Sequence, residues 1–400
     1  MDRVQRLARH ITATGAAAPL QAAPTAALCG PEKADDDVVI CCAVRLPVGK
    51  AKRGNLKDTP CEDMLAVGTK EVIKRTKVDP NVIGDVQIGN ASQPGAGGVT
   101  ARAAQFLADM PIQVPSYTLN RQCASGLQTI ANVACAIKNG VIDAGMAGGV
   151  ESMSMYQMTD GVDLNKLSPQ ILENTLAGNC LLPMGLTSEN VAAEYNISRE
   201  DQDKMAAESH AKAINAQKNG YFDSEIVPIT TRVKDAKGNF KQVTVTKDEG
   251  PREGVTAQSL SKLKPAFRAG GSTTAGNASQ VSDGAAMTLL ARRSVAKSMG
   301  LPIIGRLRSF AAVGVAPKLM GIGPAFAIPE ALKKAGLTVN DIDIFEVNEA
   351  FASQALMSAR HCNIPLEKVN PKGGAIALGH PLGCTGSRLV ATLFPELKRQ

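Results

Sequence analysis

The chain has 400 residues, 44% hydrophobic and 20% charged, enough for two to three domains or one large fold of two similar halves. No stretch approaches the roughly 18 apolar residues of a membrane span, which excludes a helical span. The 3% aromatic content, without Trp, speaks against stacking platforms for nucleic acid. The net charge of +7 is diffuse and suits an anionic small molecule as well as any polyanion. Nine Cys without CxxC spacing read as free thiols in a reducing compartment, not as a disulfide framework or a zinc site.

Residues 1–35 stand apart as a targeting segment. Arg3, Arg6 and Arg9 alternate with Val4, Leu7 and Ile11 at helical spacing, followed by an Ala/Pro/Thr-rich stretch. Arg3-Val4, five residues, then His10-Ile11 resembles the amino-terminal peroxisomal signal, which an import receptor reads; a mitochondrial presequence is the alternative.

The apolar run Val38–Val44 predicts a buried strand, residues 61–76 a helix, and Val82–Asn90 a strand entering a Gly-rich loop. Residues 340–348 repeat that last cadence and also end in Asn. A second echo joins Cys123-Ala124-Ser125-Gly126, opening a helix over 127–139, to His380-Pro381-Leu382-Gly383, opening a helix to about Lys398. These echoes point to an internal duplication in an α/β fold. Residues 159–269 break the pattern with charged helices over 188–219 and a hairpin-like region over 226–247, an insertion folded over one half.

Of four His, His10 lies in the leading segment, and His210 and His361 read as solvated or structural. His380 sits in Gly379-His380-Pro381-Leu382-Gly383, where glycines allow close backbone approach to a ligand; a packed turn is the alternative. Cys123 stands between a strand over 116–119 and a helix N-terminus. That place is expected to draw a thiol from about 8.5 toward neutrality, further if an imidazole lies alongside, although a buried structural thiol is the commoner fate. Asn348, at a strand end, suits polarising an oxyanion or capping a helix. The phosphate-binding patterns GxGxxG after a strand and GxxxxGK[ST] are absent.

Asn120-Arg121-Gln122-Cys123-Ala124-Ser125-Gly126-Leu127-Gln128, Asn348-Glu349-Ala350-Phe351 and Gly379-His380-Pro381, in that order, resemble the thiolase family. Similarity runs from about Asp37 to Gln400 and includes Leu182-Pro183-Met184-Gly185 and Thr274-Ala275-Gly276-Asn277-Ala278-Ser279. The resemblance implies two duplicated α/β halves in five layers (αβαβα) with an inserted loop domain. The N-terminal half would span 36–158 plus 270–295, the loop domain 159–269 and the C-terminal half 296–400. It implies thiolytic cleavage of 3-ketoacyl-CoA to acetyl-CoA and a shortened acyl-CoA in fatty acid β-oxidation. Coenzyme A would be a substrate, with no cofactor and no metal, and the assembly a homodimer or dimer of dimers. Carried over, Cys123 is the acyl-accepting nucleophile, His380 its base, and Asn348 holds a water that completes an oxyanion hole with His380. The backbone N–H of Cys123 belongs to a second hole. Met184, Arg252, Ala275 and Ser279 line the coenzyme A site.

The family also carries a second cysteine in a Cys-x-Gly motif on a last strand, roughly thirty residues past Gly-His-Pro, as the acid/base for carbon 2. Only twenty residues follow His380 here, so that strand is expected to be lacking, at a cost of about 10²–10⁴-fold in rate. A non-catalytic chain that binds acyl-CoA or dimerises, and a condensing ketoacyl synthase, are the competing readings. Synthases usually pair two His with the Cys, and Asn348 stands where one of them would be.

Overall fold

Three consecutive acids bring the chain into its first strand. In the computed structural model, which describes residues 27–160, 163 and 166–400, Asp35 pairs with Lys297, Asp36 with Lys138, and Asp37 with Arg293 and Arg306. The leading basic segment with Arg3, Arg6, Arg9 and His10 lies outside the described residues.

The strands are β1 (Val38–Arg45), β2 (Gly49–Lys50), β3 (Val86–Gly89), β4 (Ser116–Leu119), β5 (Ala144–Ser152), β6 (Ile229–Lys234), β7 (Phe240–Val245), β8 (Ser282–Arg292) and β9 (Gly305–Arg306). One mixed sheet runs β4-β3-β5-β8-β1-β9, with β2 added on β8. β3 is parallel to β4 and β5, and β8 is antiparallel to β5 and β1.

The longer helices are α1 (Cys61–Thr76), α2 (Gly98–Leu107), α3 (Ser125–Lys138), α4 (Met184–Glu194), α5 (Arg199–Lys218), α6 (Gly323–Ala335), α7 (Ala352–His361) and α8 (Leu382–Arg399). Both faces of the sheet are covered, as its continuous apolar strands require. Val39 and Cys41 of β1, with Met146 and Met287, pack on Met64, Leu65 and Val72 of α1. Val38 and Ile40, with Ala147 and Leu290, pack on Ile130, Val133 and Ile137 of α3 and on Val390 and Phe394 of α8. The period-two alternation of a strand thus puts α1 on one face and α3 with α8 on the other.

α3 and α8 meet at their N-termini with glycines at the closest approach. A Cβ on Gly126 would lie 2.7 Å from the Gly383 carbonyl, and one on Gly386 would lie 2.3 Å from the Leu127 nitrogen. Ser387 Oγ donates to the Gly126 carbonyl at 2.8 Å. The two echoing segments of the sequence therefore lie side by side.

The segment over 188–219 is two helices. Asn196 takes a left-handed φ of 52° after α4, and the Ser198 side chain caps α5 by accepting from the Asp201 N–H. The insertion also touches both halves instead of one. Val227, Ile229 and Val245 join the core under the first sheet, while Val191 of α4 and Met205 of α5 pack with Leu356 of α7. A buried ionic cluster joins the parts: Arg45 pairs with Glu225 and Asp248, and Glu225 also takes Lys372. Burial of four charges holds only because each is paired. Within the second half, the segments around Phe345 and Val369 pair through one parallel bridge.

Candidate active site

The turn carrying Cys123 is built by its neighbours. Asn120 Oδ1 accepts from the Gln122 N–H and its Nδ2 donates to the Ala91 carbonyl. Ser125 Oγ accepts from the Arg121 N–H and donates to the Gln122 carbonyl. These bonds hold Gln122 at a left-handed φ of 49°, immediately before Cys123. Cys123 is half-buried against Ala91, Met153 and Leu382, the last two residues beyond His380.

His380 is buried. Its backbone N–H donates to the Gln280 carbonyl at 3.1 Å. Its ring has two partners: Nδ1 lies 2.6 Å from Thr385 Oγ1, and Nε2 lies 3.3 Å from Asn348 Nδ2. Asn348 is presented by a turn that Asn370 braces, accepting from the Val347 N–H and donating to the Val347 carbonyl and to Glu349. The structure thus brings Asn348 and His380 into contact, and Leu382, two residues beyond His380, packs with Cys123.

Electrostatics correct one expectation. The Cys123 thiol is not drawn toward neutrality; burial, reinforced by the Glu151 carboxylate, pushes it up to about 12. Cys123 stands next to Ala124, the N-cap of α3, and there desolvation and the Glu151 charge outweigh the pull of the helix N-terminus. Burial, with the Arg388 guanidinium, pushes His380 down to about 3. At rest the pair is a neutral thiol and a neutral imidazole.

Glu151, which no sequence motif singles out, braces the site. It is the last but one residue of the fully buried strand β5, and its carboxylate accepts N–H groups from Ala91, Ser92 and Gly383. It therefore ties the loop beside Cys123 to the start of α8. An acid near the end of a Gly-rich apolar strand was the available signal. His210 needs a second correction: it is buried on α5, not solvated, and its Nδ1 accepts from the Arg252 N–H. The stretch over 204–217 gives α5 a second, inward face that its high charge conceals.

The proposed coenzyme A residues fall into two places. Ser279 donates its N–H to the Ala350 carbonyl, and the loop carrying Ala275 is tied there because Asn277 accepts from Ala352. Met184 opens α4; its neighbour Gly185 packs on Phe267, which meets Phe351 edge-on with centroids 6.2 Å apart. Ser279 and the Ala275 loop are thus tied to the segment that follows Asn348, and the neighbour of Met184 reaches that segment through Phe267 and Phe351. Arg252 stands elsewhere, exposed on the rim of a cavity of about 250 Å³ with Lys218 and Val255. Cys384 does not replace a second active thiol. It is buried in the first turn of α8, and burial pushes it up to about 12. Cys362 packs in the other core, donating to the Ala325 carbonyl.

A mixed sheet with helices on both faces, two helix N-termini in contact and an Asn348–His380 pair close to that contact is the arrangement of an acyl-transfer enzyme of the thiolase class, as the family matches bear out. Residues 38–294 match the thiolase N-terminal domain family and residues 301–400 the thiolase C-terminal domain family. The chain belongs to the thiolase family. It is 55% identical to 3-ketoacyl-CoA thiolase B, peroxisomal, of Rattus norvegicus, over 100% of this chain and 94% of that protein. It is 54% identical to the peroxisomal 3-ketoacyl-CoA thiolase of Homo sapiens, over 94% of this chain and 89% of that one. Its fold matches the dimeric peroxisomal thiolase of Saccharomyces cerevisiae with a TM-score of 0.84 at 49% identity, covering 92% of each chain. A second structure of the Saccharomyces cerevisiae peroxisomal 3-ketoacyl-CoA thiolase, with a TM-score of 0.74 at 43% identity and 92% coverage of each chain, is a five-layered α-β-α-β-α structure of two core domains of identical topology. These matches argue against the reading as a non-catalytic binder and against a ketoacyl synthase.

Proposed function

We propose that this chain performs thiolytic cleavage of 3-ketoacyl-CoA through an acyl-enzyme on Cys123. The single observation that carries the residue roles is the Asn348–His380 contact beside the Cys123 turn, built from both halves. The reaction belongs to fatty acid β-oxidation, and the compartment is the peroxisome, for which the relatives are named.

The roles are those the thiolase resemblance implies, and the Asn348–His380 contact supports them. The neutral His380 ring takes the proton of Cys123 as its sulfur attacks the 3-keto carbon. The bond between carbons 2 and 3 breaks, the acyl group stays on Cys123, and acetyl-CoA leaves as an enolate that takes up the proton His380 accepted from Cys123. The thiol of a second coenzyme A then accepts the acyl group. Because both groups are neutral at rest, the ion pair forms only as substrate enters and the attack begins, where preorganised donors stabilise the developing charge. Asn348 supplies such a donor, with a water completing the hole at His380, and the Cys123 N–H serves the second hole. Met184, Ala275 and Ser279 flank the pantetheine path, and Arg252, on its separate cavity rim, suits the phosphates.

A homodimer is supported by the free edge of β4, where Tyr117 is exposed, with Val99, Phe106 and Ile112 exposed nearby. An open strand edge with apolar flanks is a ready pairing surface. A dimer of dimers, and an import receptor reading the leading segment, complete the proposed partners. The proposed division keeps 159–269 as the loop domain between the N-terminal and C-terminal halves.

Thiolysis of acetoacetyl-CoA and of a longer 3-ketoacyl-CoA, followed at the enolate absorbance, tests the reading. Mass spectrometry of a quenched turnover should find the acyl group on Cys123. Turnover with the acyl group on another residue would overturn the assignment.

A further inference from the structure

His380 has two ring nitrogens, and only one tautomer makes it a base toward Cys123. Thr385 Oγ1 lies 2.6 Å from Nδ1 and directs its own hydroxyl at the Pro381 carbonyl, so it accepts from Nδ1–H and leaves Nε2 unprotonated beside Asn348 Nδ2 at 3.3 Å. The proton of the neutral ring then sits on Nδ1, which faces Thr385 Oγ1 at 2.6 Å in a buried setting. Thr385 in turn lies one helical turn past Pro381, toward whose carbonyl its hydroxyl points at 3.4 Å. The order of donation is therefore Nδ1–H to Thr385, then Thr385 O–H to Pro381.

We propose that Thr385 is a positioning residue that fixes the tautomer and the tilt of His380, so that Nε2 stays the unprotonated nitrogen available as base. The proposal rests on the thiolase reading of the site. When the proton leaves Cys123 Sγ, it arrives on His380 Nε2, while Nδ1 keeps its own proton throughout. Thr385 accepts from Nδ1 both before and after this transfer, so the ring need not turn as its charge changes. A hydroxyl does this where a carboxylate would not: it orients the ring without supplying a negative charge that would favour the imidazolium at rest.

The test uses the full chain with ¹⁵N-labelled histidine, His380 being assigned by its loss in H380Q. In the parent and in T385S, the Nε2 signal is expected to be that of an unprotonated nitrogen, with kcat within a few-fold of each other. In T385V, and in T385A should valine disturb the turn, a share of the ring is expected to move its proton to Nε2. There kcat should fall on the order of ten- to a hundredfold at an unchanged KM, since a buried N–H loses its acceptor. A T385V protein that keeps the Nδ1–H tautomer, or keeps both tautomer and kcat, overturns the proposal. A parent chain without thiolysis but with the expected tautomer shift in T385V would sink the thiolase assignment while leaving the role of Thr385 in place.

Discussion

Asn348 Nδ2 lies 3.3 Å from His380 Nε2, and the Asn348 Oδ1 atom is buried without a hydrogen-bond partner. A donor held against the base, with its acceptor end left over, suits a water and a developing oxyanion. The Asn348→Asp variant replaces that donor with an acceptor beside the ring. We expect kcat to fall by about 10²–10³-fold with a small change in KM, as for loss of one oxyanion donor. Steady-state thiolysis kinetics check this; an unaltered kcat would remove Asn348 from the chemistry.

The neutral resting thiol makes a prediction about labelling. Cys135 and Cys180 are exposed, whereas Cys123 is half-buried and pushed up to about 12. Without substrate near pH 7.5, iodoacetamide is expected to reach Cys135 and Cys180 first. The Cys123 rate should keep climbing with pH beyond 9, because only the thiolate reacts. Peptide mapping across a pH series reads this, and a rate plateau near pH 7 would contradict it.

Gly126 lets the two echoing motifs approach closely, against the Gly383 carbonyl and Ser387. Gly126→Ala would put a methyl carbon 2.7 Å from the Gly383 carbonyl and 2.8 Å from Ser387 Oγ. α3 and α8 would have to part by several tenths of an ångström. Overpacking of this kind costs about 1–3 kcal/mol, and misplacing Cys123 relative to His380 costs about 10²-fold in kcat. Denaturant unfolding and kinetics on the same preparation measure both; native stability with native kcat would show that the junction yields freely.

His210 predicts an acid-side loss of stability. Burial, with Arg252 and Lys50, pushes it down to about 4, while the unfolded chain protonates it near 6.5. The folded state therefore binds this proton less readily. The stability tied to the neutral ring is complete above about pH 6.5 and is lost as pH falls toward 4, by about 1.4 kcal/mol per unit. His210→Gln keeps an acceptor for the Arg252 N–H and removes the titration. Between pH 7 and 4.5 the parent should lose about 2–3 kcal/mol more than the variant. Parallel stability curves would refute the burial argument.

The amino-acid order by itself determined the elements and the cast of the site. Apolar runs and turn residues place β1, α1, β4 and α8, because strand and helix periods are local properties of a few successive residues. The Cys123, Asn348 and His380 motifs were legible because each pairs one reactive side chain with glycines or small residues beside it. The tertiary structure alone decided their electrostatics. Whether a thiol ionises depends on the water that other segments exclude and on Glu151, which arrives from β5. It alone decided that α5 turns His210 inward, since a charged helix with a buried face looks solvated until its neighbours are known. And it alone set Thr385 against Nδ1 and Asn348 against Nε2, because that arrangement depends on distances set when α8 docks on α3, which no local pattern encodes.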